Sequence, residues 1–293
     1  SFKDSLFFDR GQLRVNYRTI ILNLLLLEKD QKGLDLILVK LNKEWPDITQ
    51  DKDYRFLKSL SDMLKAKNQD GDLALEGLGD IEKQIAEFVE NSVWLELLPS
   101  EELAYLADTL GKSYTSADFY LDKIFLEKKI TFYGLKLFLR FFPVELKIFY
   151  KRIEEMRSDL ELLSCIIEVI ARINLKVSLA VLKEIFSFGN ELIKIEVLRA
   201  MQTSLEFDAE FIFPLIEGKS TILKKEALRA LLRNDVTKKK AIDMLLGISS
   251  PWGSRNYLIL ENVRIIEALG LRDARDYLIH FSKERFFWNR ELR

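Results

Sequence analysis

The sequence predicts an all-α protein, an irregular helical half followed by a right-handed solenoid of stacked helical hairpins. Three observations carry that expectation. Glycine (12) and proline (5) are scarce in 293 residues, well below averages of roughly 7% and 5%, which removes turn-rich all-β, collagen-like and flexible-linker classes. No period-2 alternation of useful length appears, so no sheet is assigned. In the second half an apolar stripe returns at intervals of 30 to 38 residues, the signature of a stacking repeat.

Taken in order, the first half reads as amphipathic helices over 13–29, 34–44, 53–67, 79–90, 101–110, 117–127, 131–141 and 144–156. Their expected stops have physical causes. Pro46 cannot donate to a helix ladder, Gly71 and Gly77-Leu78-Gly79 relax the backbone, and Pro99-Ser100-Glu101 supplies a cap before an apolar run. Pro143 divides the last pair. Phe138, Phe142 and Phe149 then fit a buried face where those two helices meet, with Phe141 at its edge.

The second half begins with the stripe Leu162, Ile166, Val169, Ile170, whose spacing places four side chains on one helical face. It recurs as Ile193, Val197, Ala200, Met201, then as Leu223, Ala227, Ala230, Leu231, and last as Ile265, Ala268, Leu269. Pro251-Trp252-Gly253 sits in the longer final gap. Each stripe is followed by a helix opening on a small residue, with apolar residues three and four positions later. The instances are Ser178/Val181/Leu182, Ala209/Ile212/Phe213, Ala241/Met244/Leu245 and Ala274/Tyr277/Leu278. The small residue lets helices approach closely. Antiparallel pairs are therefore expected at 161–186, 191–217, 221–246 and 257–282, each covered only by its neighbours.

These residues resemble the HEAT repeats. The nearest segment is Glu261-Asn-Val-Arg-Ile-Ile-Glu-Ala-Leu-Gly-Leu-Arg-Asp-Ala-Arg-Asp-Tyr-Leu278, which looks like that family's first helix, short Gly-Asp turn, small residue and second helix. The resemblance covers about residues 159–293. Asn234-Asp235 and Ser204-Leu205 replace the usual turn, and Glu261 interrupts the fourth stripe. The implied organisation is an irregular helical region, 1–157, continuous with about four HEAT-like repeats over 158–293. The resemblance implies a scaffold or adaptor, a minority of the family being enzymes.

Counting limits the chemistry. One cysteine, Cys165, and one histidine, His280, cannot assemble a Cys/His zinc site, a disulfide framework or a Cys-His catalytic pair. His280 reads as a helix-terminal residue and Cys165 as a small core residue. Neighbouring carboxylates such as Glu101-Glu102 or Glu154-Glu155 do not face each other on a helix and read as solvated. Gly77-Leu78-Gly79 lacks the third glycine and the preceding strand of a phosphate-cradling loop. No catalytic residue, metal ligand or cofactor is assigned. No segment is long and apolar enough to span a bilayer of about 30 Å. The chain opens Ser1-Phe2-Lys3-Asp4 without a secretory leader, which makes it a processed chain or an excised piece; cytoplasmic residence is the default expectation.

Formal net charge is −1, with 45 basic and 46 acidic residues. That balance hides two poles. Residues 69–110 carry eleven carboxylates against Lys83, whereas 217–240 carry eight basic residues against three acidic ones. Lys224, Lys225, Arg229, Lys238, Lys239 and Lys240 are therefore candidate partner-binding residues, facing an acidic protein. Trp252 joins them as a large aromatic in a connecting segment. Phe286, Phe287 and Trp288 do so because a solenoid end needs a polar cap and these are its opposite. The leading expectation is a non-enzymatic protein-binding scaffold. The alternative is a nucleic-acid-binding or DNA-glycosylase-like HEAT protein; a slightly acidic chain that confines its basic excess to one segment weighs against it.

Overall fold

The computed structural model describes residues 10–70, 76–96, 98–173, 175–203, 208–246 and 256–283, and every regular element among them is helical. The chain divides into two compact units, Ser1–Phe142 and Pro143–Arg293. The division falls before the sequence boundary at 157/158, because the helix Leu146–Glu155 packs on Lys176–Phe188 of the second unit. None of the described helices is long and apolar enough to cross a membrane.

The first unit contains α1 (Arg10–Leu27), α2 (Gln31–Gln50), α3 (Tyr54–Asp70), α4 (Glu76–Ser92), α5 (Glu101–Thr109), α6 (Ala117–Leu121, continued by a π-helical turn to Leu126) and α7 (Phe132–Phe141). Polar side chains mark several starts: Asp30, Ser100, Ser116 and Thr131 each accept a backbone N–H from the first turn of their helix. Two expected stops are overturned. Pro46 lies inside α2, and Gly77 and Gly79 lie inside α4. Pro46 and Asn42, whose carbonyl loses its ladder donor, are both on the exposed face. Water can satisfy the carbonyl there, and the buried row Leu34, Leu38, Leu41, Ile48 holds the helix on both sides of the proline.

The core of this unit centres on aromatic rings. Tyr120 and Phe138 are fully buried, with ring centroids 6.2 Å apart, and Trp94 meets Tyr120 edge-on at 5.8 Å. Phe142 joins the cluster at 5.4 Å from Tyr120, whereas Phe149 is buried in the second unit.

The second unit contains α8 (Leu146–Glu155), α9 (Leu160–Arg172), α10 (Lys176–Phe188), α11 (Glu191–Thr203), α12 (Ala209–Ile212, continued as a 3-10 turn to Glu217), α13 (Thr221–Leu231), α14 (Asp235–Leu246), α15 (Asn256–Ala268) and α16 (Arg275–Ser282, entered through a 3-10 turn at Arg272–Ala274). α9 to α16 begin and end within a residue or two of the four expected spans, and packing within a span is seen for α9 with α10 and α13 with α14. α9 packs on α10 and on α11, α11 packs on α13, and α14 packs on α15. The stripe residues Leu162, Ile166, Ile170, Ile193, Val197, Met201, Ala227, Leu231 and Ile265 are all buried. Gly270, at φ +65°, ends α15, and its αL conformation lets the Leu271 amide reach the Ile266 carbonyl. Cys165 is a correction. It lies on the exposed side of α9, off the row formed by Leu162, Ile166 and Ile170.

Candidate functional site

The basic segment is the site expected from sequence, and the fold redistributes it. Lys224 is only 4% exposed. Its Nζ donates to Asn262 Oδ1 at 3.2 Å and lies 3.8 Å from Glu261 Oε1, so it fastens α13 to α15 instead of facing a partner. The cause is helical register: Lys224 follows Leu223 on a helix whose neighbours cover both flanks. Arg229 donates to Glu226 at 2.7 Å, Lys238 pairs with Asp235 at 2.9 Å, and Lys240 pairs with Glu210 at 3.0 Å while its ammonium stands 4.1 Å above the Phe213 ring. Lys225 is half-buried and Lys239 exposed. Trp252, Phe286, Phe287 and Trp288 lie outside the described residues, as does the side chain of His280.

Polar contacts between successive hairpins repeat along the unit. Lys183 of α10 bonds Asp208 at the start of α12, and that contact, with the N–H of Phe211, holds the Asp208 carboxyl below its ordinary range. Lys240 of α14 returns to Glu210 of α12. Among the first helices, Glu191 accepts from Ser220, and Thr221 donates to Glu261 at 2.8 Å. Arg199 of α11 reaches Glu226 of α13 at 3.3 Å.

A second feature lies on the opening turns of the first helices. Leu160, Leu192, Ile222 and Tyr257, in the first turns of α9, α11, α13 and α15, are 40%, 62%, 54% and 67% exposed. A single exposed leucine needs no explanation, but an exposed large apolar residue in the opening turn of four successive first helices does, Leu192 and Ile222 being equivalent in the register that aligns Ile193 with Leu223. The capping residues Asp159, Asn190 and Ser220 fix each turn by accepting the N–H of Leu162, Ile193 and Leu223. Between α9 and α11 this edge dips into a pocket of about 200 Å³ lined by Leu160, Leu192, Ile193, Ile195, Glu196 and Arg199. The sequence carried a signal for these positions, a cap followed one or two residues later by a large apolar residue, but spacing does not tell a buried residue from an exposed one on the first turn.

The first unit holds a larger cleft of about 640 Å³, lined by Arg14, Arg18, Asp51, Lys52, Asp53 and Arg55 among others. Its ions pair with one another or with flanking carboxylates. Buried Arg18 donates to Asp53 at 2.7 Å and Asp51 at 2.8 Å, Lys52 to Glu96 at 2.8 Å, and Arg55 to Glu102 at 3.0 Å. The Arg18 guanidinium holds the Asp51 carboxyl below its usual range. Part of the acidic pole is likewise paired: Asp108 pairs with Lys136 at 2.5 Å, and buried Glu90 accepts the N–H groups of Tyr114 and Thr115 at 3.2 Å. Among the described residues, no group of three or more His, Cys, Asp or Glu is placed to hold a metal ion.

No protein-family model, curated protein or solved structure matches the chain.

Proposed function

We propose that the chain is a non-enzymatic protein-interaction scaffold of HEAT type, its second unit a right-handed superhelix of hairpins that presents one edge to a protein partner. The observation that carries the reading is the set of exposed apolar side chains Leu160, Leu192, Ile222 and Tyr257 in the opening turns of four first helices, of which α11, α13 and α15 are linked by a hydrogen-bonded ion pair and a hydrogen bond between hairpins. Repeats that display apolar residues on successive opening turns suit an extended partner. The nucleic-acid reading loses support because Lys224 is buried and Arg229, Lys238 and Lys240 are paired with carboxylates, which reduces the cationic field available to phosphates.

The test compares affinity capture by the full chain with capture by the triple variant Leu192→Ser, Ile222→Ser, Tyr257→Ser. The expected outcome is a protein recovered by the parent and lost by the variant, with circular-dichroism melting preserved. Tight duplex DNA binding that weakens steeply between about 50 and 200 mM salt would overturn the reading in favour of nucleic acid.

A further inference from the structure

Glu196 and Glu226 occupy the same position in consecutive first helices, in the register that aligns Ile193 with Leu223. Their surroundings differ. Glu226 is buried and engaged: Oε1 accepts from Arg229 at 2.7 Å and Arg199 at 3.3 Å, and Oε2 from Gln202 at 3.4 Å. Arg199 and Gln202 belong to the preceding first helix, α11. A carboxylate withdrawn from water needs such donors, because desolvation otherwise outweighs what its neighbours return.

Around Glu196 the corresponding donors are missing. In the register that aligns Leu162 with Ile193, the positions of α9 matching Arg199 and Gln202 are Glu168 and Ala171, a like charge and an apolar methyl. The counterpart of Arg229 is Arg199, which reaches forward to Glu226 instead. Glu196 Oε2 is left buried without a hydrogen-bond partner. The same residue lines the 200 Å³ pocket beside Leu160 and Leu192, which open to solvent. That volume is below the roughly 300 Å³ at which small-molecule sites begin, and it suits one inserted side chain.

We propose that this pocket receives an arginine or lysine side chain of a partner peptide, its cation pairing with Glu196 while an adjacent aliphatic or aromatic residue covers Leu160 and Leu192. The Glu226 site supplies the internal precedent, since guanidinium groups fill the equivalent place one hairpin further on. Arg199 also lines the pocket, but its guanidinium is directed to Glu226. The partner is therefore basic and apolar, opposite in charge to the one expected from the basic segment, whose cations are largely satisfied within the unit. The site rests on the interaction reading above and specifies the partner's chemistry.

The test pans a random twelve-residue peptide phage library against the full chain. Enriched peptides are expected to carry Arg or Lys within two residues of Leu, Ile, Phe or Trp. A fluorescein-labelled synthetic copy should bind at least about tenfold more weakly to Glu196→Gln and to Leu192→Ser, and undiminished to Lys225→Glu/Lys239→Glu. Glu196→Gln should melt no earlier than the parent, because it removes a charge whose Oε2 is buried without a hydrogen-bond partner. Enriched peptides without cations, or binding indifferent to Glu196→Gln, would overturn the cation pocket. If such peptides still depend on Leu192, Ile222 and Tyr257, the interaction reading stands without it. If no peptide is enriched and the triple variant captures as the parent does, both fail.

Discussion

Lys224 shows how one residue changes meaning between sequence and structure. In the chain it belongs to a basic run; in the fold its ammonium is buried against Asn262 and near Glu261. Reversing a solvated charge has little effect on folding, whereas placing a carboxylate there sets it against Glu261 in a desolvated contact. Lys224→Glu is expected to destabilise the second unit by about 3–5 kcal/mol in urea titration, while Lys239→Glu on the exposed face changes stability by less than about 0.5 kcal/mol. Two tyrosines give the first unit a pH signature. Burial, reinforced by Glu96, pushes Tyr54 up to about 12, and burial with the Glu90 charge raises Tyr120 further. A raised tyrosine pKa means that the unfolded chain ionises first. The associated stability is whole below about pH 10 and is lost as pH rises toward the folded values. Absorbance at 295 nm is expected to show Tyr54 and Tyr120 titrating last of the nine tyrosines, with Tyr105 and Tyr150 also above the ordinary range, together with loss of helical ellipticity.

At the scale of the element, helix ends and close approaches set geometry more firmly than propensity. Thr131 caps α7 by accepting the Gly134 N–H at 3.2 Å, and its own hydroxyl donates to the Val93 carbonyl at 2.7 Å, which fixes where α7 begins relative to the end of α4. Gly134 then lies against the Trp94 indole so closely that a Cβ would stand 2.5 Å from the ring. Trp94 is itself wedged edge-on against Tyr120, so it has little room to give. In an isolated helix Gly→Ala is favourable by nearly 1 kcal/mol; here overpacking reverses the sign. Gly134→Ala is expected to cost about 1–3 kcal/mol, read as a lower urea midpoint with unchanged slope. Pro46 makes the complementary point: tertiary burial on both sides of a proline carries α2 through a residue that would end an isolated helix.

For the molecule as a whole, stability is distributed by neighbours. Within the second unit α11 packs against α9, α10 and α13, whereas the main neighbour of α8 is α10. A stack of repeats opens where contacts are fewest, so amide exchange measures the order directly. The slowest exchange of this unit is expected in α11, at Val197, Leu198 and Met201, and markedly faster exchange in α8. Uniform protection across α8 to α14 would mean that the unit opens all at once and is not a stack of separable repeats.

Composition and period determined the helical class, the helix spans of the second unit and most of the buried stripe positions, because periodicity near 3.6 and scarce Gly and Pro are local properties that neighbours only reinforce; the fourth repeat departs, with Ala268 and Leu278 exposed. The same local information placed Cys165 in the core and Lys224 on the surface, both wrongly. Position on the circumference of a helix depends on which flanks other helices cover, and spacing along one helix leaves that open. Only the tertiary structure paired Arg229, Lys238 and Lys240 with carboxylates, exposed Leu160, Leu192, Ile222 and Tyr257, and left Glu196 Oε2 without the donors that Glu226 enjoys. The reason is physical. An ion pair or a desolvated oxygen is a property of two or three segments brought together, and the free energy that decides between them arises from the water their contact excludes.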